Sequence, residues 1–293
     1  MKYALFLGCT ISIREQNYEM AAREVAKKLG IEFDDIEDFS CCGFPIRSTN
    51  TEAALLIAAR NLSIAADKNQ KICTLCNACT SVLTEANKEL INNTKLREKI
   101  NKELLKIGRE FKNFVEIKHF ARILYEDVGL EEIKKNIKRN LNGLKFSIHY
   151  GCHYFRPGDL YNHFEDVENP STVESLIAIT GAEVVDYEYK LDCCGGAILG
   201  VEEDIAMSMA KRKLDSVTIK KVDALITICP FCSIMYEKNQ KKIESKFNVE
   251  YNLPVIYLPQ ILGLALGIDE NKLGFGLNRI KPNKLLEKMK DSK

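Results

Sequence analysis

The 293-residue chain contains no tryptophan, only four histidines and only seven prolines. It also lacks any run near the roughly 18 uninterrupted apolar residues that a membrane helix needs. Its 42 basic residues stand against 41 acidic ones, a formal charge of +1. No global positive field therefore draws it to nucleic acid, and an anionic ligand must be met by local cations. The opening MKYALFLGCT is apolar only from Tyr3 to Gly8, shorter than the roughly 7–15 residues of a signal-peptide core. It reads as a buried strand entering a functional loop. Also missing are a Cys-x2-Cys-x2-Cys-x3-Cys-Pro ferredoxin run and a Gly-x-Gly-x-x-Gly fingerprint. Any electrons the chain uses must therefore be supplied by partners.

What is plentiful is cysteine: Cys9, Cys41, Cys42, Cys73, Cys76, Cys79, Cys152, Cys193, Cys194, Cys229 and Cys232. An odd count of eleven in a long chain argues against a disulfide scaffold. It points to metal or redox chemistry in a reducing cytoplasm, with thiolates as the main ligands. The two adjacent pairs are the oddity. Neighbouring Cα atoms lie about 3.8 Å apart, below the 4.4–6.8 Å usual for a disulfide. Side chains of adjacent extended residues also point to opposite faces, so one metal ion gains little from both.

The cysteines lie in an internal repeat. KYALFLGCT (2–10) matches KFSIHYGCH (145–153), DFSCCGFP (38–45) matches KLDCCGGA (190–197), and KICTLCNACTSVL (71–83) matches ALITICPFCSIMY (224–236). The offsets are 143, 152 and 153, so one loop nine residues longer in the second half explains the first difference. Each half reads Cys, a gap of 31 or 40 residues, Cys-Cys, a gap of 33 or 34, then Cys-x-x-Cys. Cys73 is left over. It aligns with Ile226 in an apolar strand pattern, which makes it a small buried hydrophobe, although Cys73-x-x-Cys76 is also a valid ligand spacing.

Apolar β-rich runs at Tyr3–Leu7, Phe146–His149, Glu183–Asp186 and Leu225–Ile228 alternate with helical patterns, most clearly Thr51–Asp67 and Glu202–Lys220. The alternation predicts an α/β fold of mostly parallel strands with flanking helices, where ligands gather at the carboxyl ends of strands. The expected bounds are 1–84 and 143–293 for the half-domains, with 85–142 as a helical connector. Shorter helices are expected at His119–Tyr125, Glu131–Asn140 and Pro259–Gly267, and Lys281–Lys293 reads as a charged, fraying tail.

Three readings of the sulfur set remain open here. Zinc or a cubane iron–sulfur cluster would use four thiolates and leave one idle in each half. An iron–sulfur assembly with an extended or split iron arrangement could use all five, with glycines permitting the tight turn behind each pair. Spacing favours iron–sulfur over zinc.

The motifs LFLGC, SCCGFP, YGCHYFRP, DCCGG and CPFC, with LGLALGI near the end, resemble a tandem pair of cysteine-rich "CCG" domains. The chain as a whole is similar to the B subunit of heterodisulfide reductase from methanogenic archaea. The resemblance implies two half-domains related by a pseudo-twofold, each holding a noncubane [4Fe-4S] cluster. Carried over by motif, Cys9, Cys41, Cys42, Cys76 and Cys79 would bind one cluster, and Cys152, Cys193, Cys194, Cys229 and Cys232 the other. The implied reaction is reduction of the mixed disulfide of coenzyme M and coenzyme B to two thiols. It needs two electrons and leaves two thiolates to be stabilised. The implied partners are an iron–sulfur C subunit and a flavin-containing A subunit, joined in turn to a hydrogenase or formate dehydrogenase. By position after the ligands, Arg47, His153 and Arg156 are the expected substrate contacts, with His153 as a proton donor. Related electron-transfer subunits of glycolate, glycerol-3-phosphate, lactate and thiol:fumarate oxidoreductases give the alternative.

Overall fold

The computed structural model describes residues 1–291 and contains two four-stranded, all-parallel sheets. The first is built from β1 (Lys2–Phe6), β2 (Glu32–Asp35), β3 (Ile72–Thr74) and β4 (Ile117–His119), in the order β2-β1-β3-β4. The second repeats it with β5 (Lys145–His149), β6 (Glu183–Val184), β7 (Ala224–Thr227) and β8 (Val255–Tyr257), in the order β6-β5-β7-β8. In each sheet the order changes direction between the first and third strands. In open parallel sheets, ligands collect just beyond the carboxyl ends of the strands flanking such a reversal.

The elements follow from their side chains. Helix Gln16–Lys28 buries Tyr18, Ala21, Ala22, Val25 and Ala26, the i, i+3, i+4, i+7, i+8 stripe of an amphipathic helix. Helix Thr51–Asp67 starts where the Asn50 side chain accepts from the Ala53 N–H at 2.9 Å. It then buries Ala54, Ala58, Leu62 and Ala65 along one face. Its counterpart, Glu203–Ile219, occupies the same place in the second half.

Several elements differ from the sequence expectation. Residues 85–142, expected as a helical connector, contribute β4 to the first sheet. Helix Asn77–Asn92 runs through residue 84, and helix Thr94–Leu104 follows it. Asn93 separates the two by capping the second, its side chain accepting from the Leu96 N–H at 3.0 Å. The expected helix at His119–Tyr125 becomes a short α turn, Phe120–Arg122, continued by a π turn over Ile123–Val128. Of the stretch expected to fray, Asn283–Asp291 forms a helix that buries Leu285, and residues 292–293 lie outside the described residues. Among the described residues no helix is long and apolar enough to cross a membrane.

One continuous apolar core spans both halves. Helix Gln16–Lys28 of the first half packs on helix Leu258–Ala265 of the second, and the Tyr18 and Tyr257 rings stack at 3.9 Å with 11° between planes. Polar clamps cross the same boundary. Tyr18 Oη donates to the Ile228 carbonyl at 3.1 Å, His119 Nε2 pairs with that carbonyl at 2.9 Å, and Asn77 Nδ2 donates to the Tyr150 carbonyl at 2.5 Å. Buried Glu15 accepts from Tyr257 Oη at 2.6 Å and Ser233 Oγ at 3.1 Å. Ile228 directly precedes Cys229, so the first half fixes the backbone from which a second-half cysteine projects.

Candidate metal centre

Each half brings its cysteines together by the same three local devices. The first is the turn after the leading strand. Gly8 (φ +63°) and Gly151 (φ +79°) are left-handed, and a Cβ would come within 3.0 Å of Cys79 Sγ at Gly8 and 3.2 Å of Cys232 Sγ at Gly151. Only glycine combines that backbone with that approach of sulfur. The second is the Cys-Cys-Gly turn. Gly43 (φ +96°) and Gly195 (φ +80°) press against the backbones of Ala54 and Ala206 in the following helices. Backbone N–H groups turn onto sulfur here: Gly43 to Cys41 at 3.5 Å, Gly195 to Cys193 at 3.4 Å and Gly196 to Cys194 at 3.3 Å. The third is the Cys-x-x-Cys motif. Cys76 (φ −135°, ψ 125°) and Cys229 (φ −136°, ψ 128°) are extended caps at the starts of helical turns, and Cys79 and Cys232 follow three residues later on the same face. Helix N-termini favour the thiolate.

The ten sulfurs form one unbroken series of interacting neighbours. In the first half it runs Cys9, Cys41, Cys42, Cys79, Cys76. In the second it runs Cys152, Cys193, Cys194, Cys232, Cys229. The two series meet where Cys76 and Cys229 are neighbours. Their order is the same from either end, as a twofold relation between the halves requires. Neighbouring sulfurs make several members acidic: Cys41 and Cys79 draw the Cys42 thiol below the ordinary thiol range, and Cys152 and Cys194 do the same to Cys193. Cys73 stays outside the series. It is fully buried in β3, and burial raises its pKa well above that of a free thiol.

Five thiols per half, backbone N–H groups aimed at sulfur and glycines at which a side chain would fill the space suit a polynuclear iron–sulfur group better than one ion. Two cavities lie against the sulfurs. One is bounded by Cys9, Cys42, Cys76 and Cys79, the other by Cys152, Cys193, Cys194, Cys229 and Cys232, and Phe44, Ala78 and Phe231 border both. The Phe44 and Phe231 rings are 5.9 Å apart. Neither phenylalanine stands out in the sequence, because a lone aromatic beside a cysteine reads as ordinary packing.

The three expected substrate contacts are placed differently from one another. His153 borders the second cavity, with Nδ1 3.0 Å from Cys152 Sγ and its ring edge-on to Phe44 at 5.5 Å. Burial lowers its pKa against the opposing pull of Cys229 and Cys193, so near neutral pH it is a neutral imidazole offering one N–H. Arg47 and Arg156 border neither cavity. Arg47 is paired with Glu85 at 2.6 Å. Arg156 donates to the Val167 carbonyl at 2.6 Å and the Leu191 carbonyl at 3.4 Å, bracing the loop that enters the second cysteine pair.

One constellation is absent from the sequence expectation. His149, at the end of β5, sets Nε2 3.2 Å from Cys232 Sγ and Nδ1 2.9 Å from the Lys213 ammonium. His149, Cys194 and Cys232 place their ligand atoms within 4.8 Å of one another. Aligning the halves could have found it, since Phe6 stands where His149 does and Asn61 where Lys213 does.

Comparison with known proteins agrees with this geometry. The CCG cysteine-rich domain model matches residues 3–84 and again 146–237. The chain is 34% identical to the B subunit of the ferredoxin:CoB-CoM heterodisulfide reductase of Methanosarcina mazei, over 98% of this chain and 97% of that protein. It is 32% identical to a protein of Archaeoglobus profundus described as like the B subunit of heterodisulfide reductase, over 93% of each. It is also 33% identical to the 8-methylmenaquinol:fumarate reductase membrane anchor subunit of Wolinella succinogenes, over 97% of this chain and 99% of that one. Among solved structures, a hypothetical protein from Helicobacter pylori shares the fold with a TM-score of 0.77 at 16% identity, matched over 96% of this chain and 52% of that one. The repeated family match and the full-length likeness lead to one conclusion: this chain belongs to the CCG cysteine-rich domain family, alongside the B subunits of heterodisulfide reductases.

Proposed function

We propose that this chain is the disulfide-reducing subunit of a multi-subunit oxidoreductase, converting the coenzyme M–coenzyme B heterodisulfide to its two thiols at two noncubane [4Fe-4S] clusters. The observation that carries the reading is the mirrored series of ten sulfurs meeting at Cys76 and Cys229. The near full-length likeness to heterodisulfide reductase B subunits supports it. Cys9, Cys41, Cys42, Cys79 and Cys76 would hold the first cluster, and Cys152, Cys193, Cys194, Cys232 and Cys229 the second. When bound, the clusters would supply the two electrons and Lewis-acidic iron for the separating sulfurs.

The protein's own groups do the rest. Phe44 and Phe231, bordering both cavities, exclude water and confine an extended disulfide between the two sites. His153 stands on the second side as the expected proton donor to a leaving thiolate, held there by Phe44 and by Tyr161, which donates to the His153 carbonyl at 2.5 Å. Arg47 and Arg156 serve the site as braces, Arg47 by fixing Glu85 and Arg156 by fixing the loop before Cys193. Electrons arrive from an iron–sulfur C subunit and a flavin-bearing A subunit in the cytoplasm, fed by a hydrogenase or formate dehydrogenase.

Anaerobic iron and sulfide analysis tests the centre, with about eight irons expected per chain on four-iron arithmetic. A metal content of about two zincs without sulfide sinks the reading. Reductive release of both thiols by cluster-loaded protein and an artificial donor tests the reaction. A second reading rests on the likeness to the fumarate reductase subunit: the same clusters relay electrons and cleave no disulfide. Reduced clusters that reoxidise with a quinone analogue but not with the heterodisulfide select it. His153→Ala is expected to retain its iron and lose turnover at least tenfold.

A further inference from the structure

The two cysteine sets are alike, yet what stands behind them is not. In the first half Phe6 holds the equivalent strand-end place, and Asn61 ties the Cys41 loop through the Cys41 carbonyl and through the backbone and hydroxyl of Ser40. Asn61 Nδ2 donates to the Cys41 carbonyl at 2.9 Å, and its Oδ1 accepts from the Ser40 N–H at 2.9 Å. In the second half the equivalent places hold His149 and Lys213. Lys213 is 1% exposed. Its nitrogen has three neighbours, the Asp192 carbonyl at 2.7 Å, the Lys190 carbonyl at 3.0 Å and His149 Nδ1 at 2.9 Å.

Two of those are acceptors only, and an ammonium has three protons and no lone pair, so the third proton points at His149 Nδ1. That nitrogen must then accept, which leaves the ring proton on Nε2, 3.2 Å from Cys232 Sγ. The chain of donors is fixed by valence: ammonium to imidazole, imidazole to sulfur. Burial lowers the Lys213 pKa while the surrounding thiolates oppose the shift, and three acceptors around one nitrogen are the surroundings of an ammonium.

We infer that Lys213 and His149 are positioning residues that make the second cluster site the stronger electron acceptor of the two. The inference rests on the iron–sulfur reading above and deepens it. A hydrogen bond onto a ligating sulfur and a buried positive charge both stabilise the reduced, more negative state. The backbone N–H contacts at Cys41 and Cys193 are alike and cancel between halves. Cys9 is exposed and Cys152 only half-buried. Water at Cys9 favours reduction of the first site, but through a high dielectric, whereas the Lys213 charge acts from a dry interior where fields are several-fold stronger. An electron shared between the sites therefore rests on the second, crossing at the Cys76–Cys229 contact.

The test is a stepwise reductive titration of anaerobically purified, cluster-loaded protein, followed by EPR and visible spectra. The wild type should show two midpoints. His149→Phe and Lys213→Met should each lower the higher midpoint, by at least tenfold in the reduction equilibrium, about 59 mV for one electron. The lower midpoint should stay fixed, which also shows that the variants are folded. His149→Gln, which keeps an N–H at the same reach, should restore most of the shift. A higher midpoint indifferent to both substitutions overturns the inference, as do equal movements of both midpoints. Loss of iron from His149→Phe makes His149 an iron ligand and overturns it too. Iron-free wild type would sink the proposed function instead, so the two failures are distinguishable.

Discussion

The first half braces its cysteine pair with Asn61, the second with Lys213, and the exchange marks where the two copies diverge. Most of what touches sulfur through the backbone is repeated: the left-handed glycines, the N–H contacts at Cys41 and Cys193 and the extended Cys76 and Cys229 caps, with the Gly196 N–H to Cys194 added in the second half. The layer behind is not repeated. Phe6 and Asn61 are neutral, while His149 and Lys213 carry a hydrogen-bond donor and a charge. Assembly of each site thus depends on geometry both halves share, and the electronic character of each can be tuned separately.

The shared geometry is tested by adding one methyl group. Gly43→Ala and Gly195→Ala would drive Cβ to 2.7 Å from the Ala54 carbonyl and 2.9 Å from that of Ala206, at positive φ. Each should cost about 3 kcal/mol or more from strain and overlap. On the proposed two-cluster reading, iron should fall by roughly half in each. Equal loss of both clusters from one substitution would show that the halves do not fill independently. Next in size is the seam between halves. Tyr257→Phe leaves buried Glu15 with Ser233 as its remaining hydroxyl donor, at a cost of about 2–3 kcal/mol in denaturant midpoint. An unchanged midpoint would mean the Glu15 contact contributes nothing.

Acid provides the third test. Burial holds His119 at about 4, against 6.5 in an unfolded chain. The unfolded state therefore takes up its proton first as pH falls, and stability that is complete above pH 6.5 is lost towards pH 4. Between pH 7.5 and 5 the loss should be about 2 kcal/mol. His149 and His153 are lowered too and act in the same direction. His119→Gln should therefore flatten only part of the slope, and a slope left unchanged would exclude His119. The smallest effect is expected at Cys73. Cys73→Ile installs the second half's residue and should change stability by about 1 kcal/mol or less with iron intact. Loss of iron would return Cys73 to the ligand set.

The repeat made the ten sulfurs legible, because three motif pairs at nearly constant offset leave little freedom of alignment. The long helix Thr51–Asp67 was legible from its periodicity. Strands Glu32–Asp35, Ile117–His119 and Val255–Tyr257 were not. Runs of three or four residues are too short to show an alternation, and Glu32–Asp35 carries three acidic residues in a partly exposed position. His149 and Lys213 were missed for another reason. One lies in an apolar strand and the other in an amphipathic helix, 64 residues apart, and only the sheet brings them together. Arg47 and Arg156 follow cysteines in sequence but turn away to Glu85 and to backbone carbonyls.

Phe231 borders the first cavity although it belongs to the second half, and Phe44, Asn77 and Ala78 border the second although they belong to the first. Each copy thus supplies a wall of its sibling's chamber. Cutting the polypeptide between the copies would leave two open bowls, from which oxygen or a chelator could strip metal. Their fusion into one chain therefore serves as mutual shelter.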